Sequence, residues 1–273
     1  MFEGNDYMSA TTRTVFCLSG HDATGGAGLQ ADIETLKALG CHPLTVVTAL
    51  TSQDTVNVEA VWPQRECDFM AQAECLLNDI QPVSVKIGLL GSADIARAVA
   101  EILRRLPHAC VVLDPILAAG GGKPLARAEL MDVMRAELFP RVTVLTPNTI
   151  EARALVGRKS LDECAEELRR LGCKNVLITG THDTGEVVIN RLYGHTAREW
   201  SWPRLPHTYH GSGCTLASAL AGFLALGQPL ETAAYSAQRF TFEALQAGYP
   251  LGRGQYMPNR AAPRPELWEH DAG

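Results

Sequence analysis

The chain has 273 residues, 46% hydrophobic and 20% charged, with a formal net charge of −6. That is apolar enough for one sizeable core and too weakly charged for a disordered chain. Lysine and arginine gather only in short pairs such as Arg104-Arg105 and Arg169-Arg170, which read as solvated helix faces and exclude a nucleic-acid footprint.

Residues 1–13 hold no apolar run of the kind that opens a secretory signal, and the longest apolar run, Leu216 to Leu226, is too short to span a bilayer. The eight cysteines fall without a CxxC pair or a Cys/His ligand spacing. Reduced thiols in a cytoplasmic protein are expected, with neither structural zinc nor a disulfide framework.

In chain order, Thr14 to Ser19 reads as a buried strand, followed by the loop GHDATGGAG. A helix then runs to about Leu39, with Leu29, Ile33 and Leu36 on one face and Gly40 as its stop. Leu44 to Leu50 and Val56 to Trp62 read as strands, and a helix follows Pro63 to near Ile80. Val83 to Ile87 is a strand, and Ser92 caps a helix through Leu106. Ala109 to Leu113 and Val142 to Leu145 are buried strands ending in Asp114-Pro115 and Thr146-Pro147-Asn148. Ser160 and Glu163 form a capping box at the next helix. Asn175 to Thr179 is a strand, Val187 to Leu192 pairs with Glu199 to Trp202 as a hairpin, and helices at Gly213 to Leu226 and Leu230 to Ala247 close the chain.

Strands separated by helices predict an α/β fold with a mostly parallel sheet covered on both faces. One domain over 14–258 is expected, flanked by loose tails at 1–13 and 259–273. The glycine-rich and polar motifs all follow strands, where the ligand crevice of such a sheet lies.

Taken singly, these motifs are ambiguous. SGHDATGGAG lacks both the dinucleotide fingerprint and the Gly-Lys-Ser/Thr of a P-loop, and alone it reads as an ordinary strand-to-helix turn. Asp32 and Gln53 can hydrogen-bond a polar heterocycle edge or simply be solvated. Asp114, Asn148 and Glu151 offer oxygen ligands of the kind Mg²⁺ accepts, while Asn148 and Glu151 read equally as a helix cap. HGSGC sets glycines and a cysteine at a helix start. There, free amides and the helix dipole stabilise an anion and lower a thiol pKa, and the plainer reading is a small buried cysteine.

In order, SGHDATGGAGLQADIETLKALG, VVTALTSQDT, VKIGLLGS, LDPIL, LTPNTIEA and HGSGCTLASALA resemble hydroxymethylpyrimidine/phosphomethylpyrimidine kinase, over roughly Thr14 to Pro258. The resemblance implies a three-layer αβα sandwich of the ribokinase-like (Rossmann-like) kind. It also implies phosphorylation of 4-amino-5-hydroxymethyl-2-methylpyrimidine, and then of its monophosphate, with ATP and Mg²⁺ for thiamine synthesis, in a homodimer. It places Gly20, Asp32, Gln53 and Leu89 at the pyrimidine. Asp114, Asn148 and Glu151 fall in the Mg-nucleotide region, with Mg²⁺ met by Asp114 or Glu151 through water. Gly211, Ser212 and Gly213 become the anion hole and Cys214 the catalytic base.

Two positions depart from the family pattern. Thr179 stands where a V-x-K-G-G-H lysine is usual, and AAGGGK replaces A-K-S-G after the aspartate-proline. Lys123 is a candidate substitute cation. A pyridoxal kinase and a catalytically weak pyrimidine sensor are the alternative readings.

Overall fold

A computed structural model describes residues 13–118 and 125–263. The expected tails at 1–12 and 264–273, and Lys123 with most of AAGGGK, lie outside the described residues.

Among the described residues one sheet runs in the order β3-β2-β1-β4-β5-β6-β7-β8-β9. Its strands are β1 (Thr14–His21), β2 (His42–Gln53), β3 (Val58–Pro63), β4 (Ser84–Ile87), β5 (Cys110–Leu113), β6 (Val144–Leu145), β7 (Asn175–Ile178), β8 (Val187–Tyr193) and β9 (Arg198–Pro203). From β2 to β7 the pairing is parallel; the hairpin of β2 with β3 and the β7-β8-β9 ladder add antiparallel edges. The α/β class and the 187–203 hairpin are as expected.

Alternation along β1 divides the core. Phe16 and Leu18 face one apolar cluster, which also takes in Phe69, Ile95 and Ile102. Val15 and Cys17 face the other, with Leu36, Leu220 and Phe240. Helices α1 (Gly28–Ala38), α7 (Ser212–Ala225) and α8 (Leu230–Gln246) supply the second cluster, whereas α2 (Glu66–Asp79) and α3 (Ala93–Arg104) supply the first. Period-2 alternation thus makes a three-layer sandwich from one sheet.

The expected helix starts hold at Ser92, whose Oγ accepts from Ile95 N–H, and at Ser160–Glu163, the capping box that opens α6 (Leu161–Arg170). Some bounds move. β2 extends through Gln53 because it pairs with β3 across the hairpin. β6 is only two residues, because a 3-10 turn through Pro140 occupies the chain up to Arg141. The segment before it, unassigned from sequence, is helix α4 (Ala128–Val133) running into a π turn at Met134–Leu138.

Of the expected loose tail at 259–273, the described residues 259–263 include packed ones. Asn259 N–H donates to the Ala244 carbonyl, and Arg260 is only 3% exposed.

The strand order reverses between β1 and β4, so their carboxyl ends open onto a crevice. Gly20 and Leu89 meet there: a Cβ at Gly20 would lie 3.0 Å from Leu89 Cδ2.

Candidate active site

The deepest charge in the site was not anticipated. Lys86 sits on β4 between Val85 and Ile87, and its side chain is wholly buried. Nζ donates to Asp32 Oδ1 on α1 at 2.6 Å and to Ser19 Oγ on β1 at 3.0 Å. From α7, Ser218 Oγ donates to the same Asp32 oxygen at 2.6 Å. Burial alone would strip the proton from Lys86, but Asp32, then Cys214 and Asp114, outweigh it and raise the lysine pKa. Asp32 is therefore tied into the sheet through Oδ1, while Oδ2 is buried without a hydrogen-bond partner.

The loop after β1 is organised by Asp22. Its Oδ1 accepts from Thr24 N–H at 2.8 Å, and its Oδ2 from Ala27 N–H at 2.9 Å. That same Oδ2 lies 2.7 Å from His210 Nε2, so residues 188 positions apart pin the glycine loop to the start of α7. Gly211 has φ +72°, and a Cβ there would overlap the Gly26 carbonyl oxygen. Glycine is required at that position both for the backbone angle and for the close approach.

Gly211 and Ser212 are half-buried and Gly213 exposed, leaving the first turn of α7 open, while Cys214 below them is 7% exposed. The expectation of a lowered thiol pKa is reversed: Cys214 is pushed up to about 11. Burial is the largest cause, and Asp114 and Asp32 add to it; Lys86 and the Gly28 N–H pull the other way without overcoming it.

Asp114 faces the same turn, with Oδ2 3.3 Å from where a Cβ on Gly213 would stand. Burial, then Glu151, push its carboxyl up to about 7, against the pull of Lys86. Ile116, two residues on, has φ +23°, a sparsely populated conformation for a β-branched residue.

Asn148 and Glu151 make the capping box of helix α5 (Thr149–Val156). Glu151 Oε2 accepts from Asn148 N–H at 3.0 Å and Oε1 from Leu117 N–H at 3.1 Å. Burial raises the Glu151 pKa despite these bonds. The cap therefore also ties the Asp114–Leu117 turn to α5.

Thr179 pairs with Asn148 through backbone bonds, its N–H donating to the Pro147 carbonyl at 3.0 Å and its carbonyl accepting from Thr149 N–H at 3.1 Å. Beyond it, Arg204 donates to the carbonyls of Gly185 (2.7 Å), Thr181 (2.9 Å) and Asp183 (2.7 Å), clamping the loop after β7. Arg204 drew no notice in the sequence.

Gln53 stands apart from Cys214, half-buried on the rim of a cleft of about 500 Å³ with Thr24, Asp54 and Leu251. A second cleft, of about 390 Å³, shares Ala23, Thr24 and Leu251 with it and lies against Asp22, Glu34 and Arg260. The structure thus gathers Asp32, Asp114 and Cys214 around Lys86, brings Gly20 to Leu89, and leaves Gln53 on the rim of a cleft that none of those residues lines.

The chain as a whole resembles known proteins. A family model for phosphomethylpyrimidine kinase matches residues 22–259. The hydroxymethylpyrimidine/phosphomethylpyrimidine kinase of Haemophilus influenzae is 35% identical, over 93% of this chain and 98% of its own. Among solved structures, a Bacillus subtilis pyridoxal kinase in complex with ADP superposes with TM-score 0.85 at 29% identity, covering 92% of this chain and 98% of that one. A phosphomethylpyrimidine kinase from Clostridium difficile gives 0.75 at 32%, covering 85% and 99%. With the ordered motifs converging on one crevice and a family model spanning nearly all the described residues, the chain belongs to the phosphomethylpyrimidine kinase family.

Proposed function

We propose that residues 14–258 form a single kinase domain that phosphorylates 4-amino-5-hydroxymethyl-2-methylpyrimidine, and then its monophosphate, at the expense of ATP, supplying the pyrimidine half of thiamine. The observation that carries the reading is the convergence of Cys214, Asp114 and Lys86 at the open first turn of α7. That turn offers the amides of Gly211, Ser212 and Gly213 to a phosphoryl group, with the helix dipole behind them. The ADP held by the Bacillus subtilis pyridoxal kinase supports ATP as the donor.

Cys214 takes the proton of the hydroxymethyl group, and the resulting alkoxide attacks the γ-phosphate in line. In the free chain the thiol is protonated near neutrality, so the proton transfer needs help from its surroundings. Lys86 stays cationic near it and favours the thiolate. Neutralising Asp114 removes the strongest neighbouring charge opposing it. The buried Oδ2 of Asp32 is an acceptor without a protein donor, suited to an amino group of the pyrimidine. Gly20 and Leu89 shape the crevice, and Gln53 reads the substrate edge.

The donors near the phosphates fit Mg²⁺, which takes oxygen ligands and keeps several waters. Asp114 would hold it directly or through water, relieving the repulsion between two buried carboxyls. Glu151, both of whose oxygens already accept backbone N–H groups, would reach it through water. Bound there, Mg²⁺ would neutralise charge developing on the phosphates. Asn148 and Thr179 position the nucleotide side by their backbone pairing.

Leu50 and Trp62, directly paired across the β2–β3 hairpin, are 45% and 54% exposed. This edge supports a homodimer. All eight cysteines are free and no helix among the described residues is long and apolar enough to cross a membrane, in keeping with a cytoplasmic enzyme.

The test is incubation with MgATP and hydroxymethylpyrimidine, its monophosphate or pyridoxal, following ADP release and product masses. The higher TM-score to a pyridoxal kinase favours pyridoxal as the second reading, and turnover of pyridoxal alone would establish it in place of the first. Tight pyrimidine binding without ADP release would mean a sensor.

A further inference from the structure

After α8 the chain folds back as a strap. Gln255 N–H donates to the Thr55 carbonyl (2.8 Å), Tyr256 N–H to the Thr208 carbonyl (2.9 Å), and His210 N–H to the Tyr256 carbonyl (2.9 Å). Tyr249 and Met257 exchange backbone bonds, and the strap ends by burying Arg260.

All three arms of the Arg260 guanidinium have partners. Nε donates to Thr215 Oγ1 at 3.0 Å, Nη1 to Glu34 Oε2 at 3.0 Å, and Nη2 to the Gly26 carbonyl. Thr215 Oγ1, accepting from Arg260, in turn donates to the Gly211 carbonyl at 2.9 Å. Gly26 and Gly211 also come close to each other, since a Cβ on Gly211 would lie 2.0 Å from the Gly26 carbonyl oxygen. One planar, permanently charged fork thus grips both sides of that approach, which an ammonium on a flexible stem does not reproduce.

We infer that Arg260 is a positioning residue for phosphoryl transfer, holding the glycine loop and the Gly211–Gly213 turn at the spacing the transferring group requires. The inference rests on the anion-hole assignment above. It deepens that assignment by naming a residue in the returning strap, remote in sequence from every motif, as the part that sets its geometry. The cleft of about 390 Å³ beside Arg260 gives a small cation a route to the same place.

Arg260→Gly should lower kcat for hydroxymethylpyrimidine by roughly 10–100-fold while KM for MgATP stays within about threefold, the pattern of lost alignment. Free guanidinium ion, far below denaturing concentrations, should restore a large part of that kcat without raising the melting temperature. Thr215→Val removes the relay while keeping the shape, and should lower kcat in the same direction; Thr215→Ser should recover it.

A clamp that only stabilises the fold would instead lower the melting temperature and leave the kcat of the folded fraction unchanged, with no response to guanidinium. That result, or parent-like kcat in both Arg260→Gly and Thr215→Val, would overturn the inference. Cys214→Ala, assayed alongside, separates the two claims. If it is inactive while the Arg260 and Thr215 variants are not, the positioning role alone fails. If it too is fully active, the reading of the α7 turn fails with it.

Discussion

Lys86 and Asp32 form an ion pair at 2.6 Å with both side chains fully withdrawn from solvent. The pair joins a central strand to the first helix, near enough to Cys214 for both charges to act on its thiol. Breaking such a pair from one side strands a buried charge, which typically costs about 3–5 kcal/mol. Lys86→Met should therefore destabilise the chain by about that much in denaturant melts. Lys86→Met with Asp32→Asn should recover most of the loss and remain inactive, since Cys214 still lacks its cation and the pyrimidine loses the Asp32 carboxylate. A fully active double variant would show that the lysine serves only the fold.

Asp114 makes a pH-dependent prediction. A carboxyl whose folded pKa is raised to about 7 costs stability wherever the unfolded chain would ionise it. The penalty is absent below its ordinary value of about 3.9, grows as pH rises between the two, and is complete above the folded value. Asp114→Asn should thus melt several degrees higher than the parent at pH 8 without nucleotide, with the difference shrinking towards pH 5, while turnover is lost. A difference that does not vary with pH would contradict the assignment. Glu151, the next-largest cause after burial, titrates with Asp114, so the profile belongs to the pair.

Arg204 should affect the nucleotide rather than the chemistry. Its guanidinium holds three carbonyls of the 181–185 loop. Arg204→Ala should raise KM for ATP by roughly 5–20-fold with kcat changed little, the signature of lost uniform binding. Initial rates over a range of ATP concentrations check this, and a loss confined to kcat would count against it.

Much of this site was legible in sequence because strands and helices alternate strictly, so every strand-end motif had to share one rim. The glycine loop, Asp114-Pro115 and Thr146–Glu151 could be placed together without knowing a single distance, and HGSGC joined them through the family resemblance. What was not legible depended on tertiary burial. Lys86 lies in the run VKIGLL, where one charge in an otherwise apolar central strand was the available signal. The thiol pKa was misjudged because a helix start is a local feature, whereas the desolvation that outweighs it comes from packing by distant segments. Arg260 fell in the expected loose tail because the family resemblance runs only to about Pro258; its partners lie in the glycine loop, α1 and α7.

The edge hairpin gives a further prediction. Trp62→Glu with Leu50→Lys should shift the chain from dimer to monomer in light scattering, and keep its melting behaviour, since both side chains are largely outside the core. A mass equal to the parent's would contradict a dimer formed through this edge.

The central claim is that Cys214 is the base for the first phosphorylation. A substrate phosphate is already anionic and needs little deprotonation, so the two steps should respond differently to loss of the thiol. Single-turnover assays of Cys214→Ala with hydroxymethylpyrimidine and with its monophosphate measure this directly. The expected result is a loss of roughly 10²–10⁴-fold in the first step and a much smaller one in the second; equal retention of both would contradict the account.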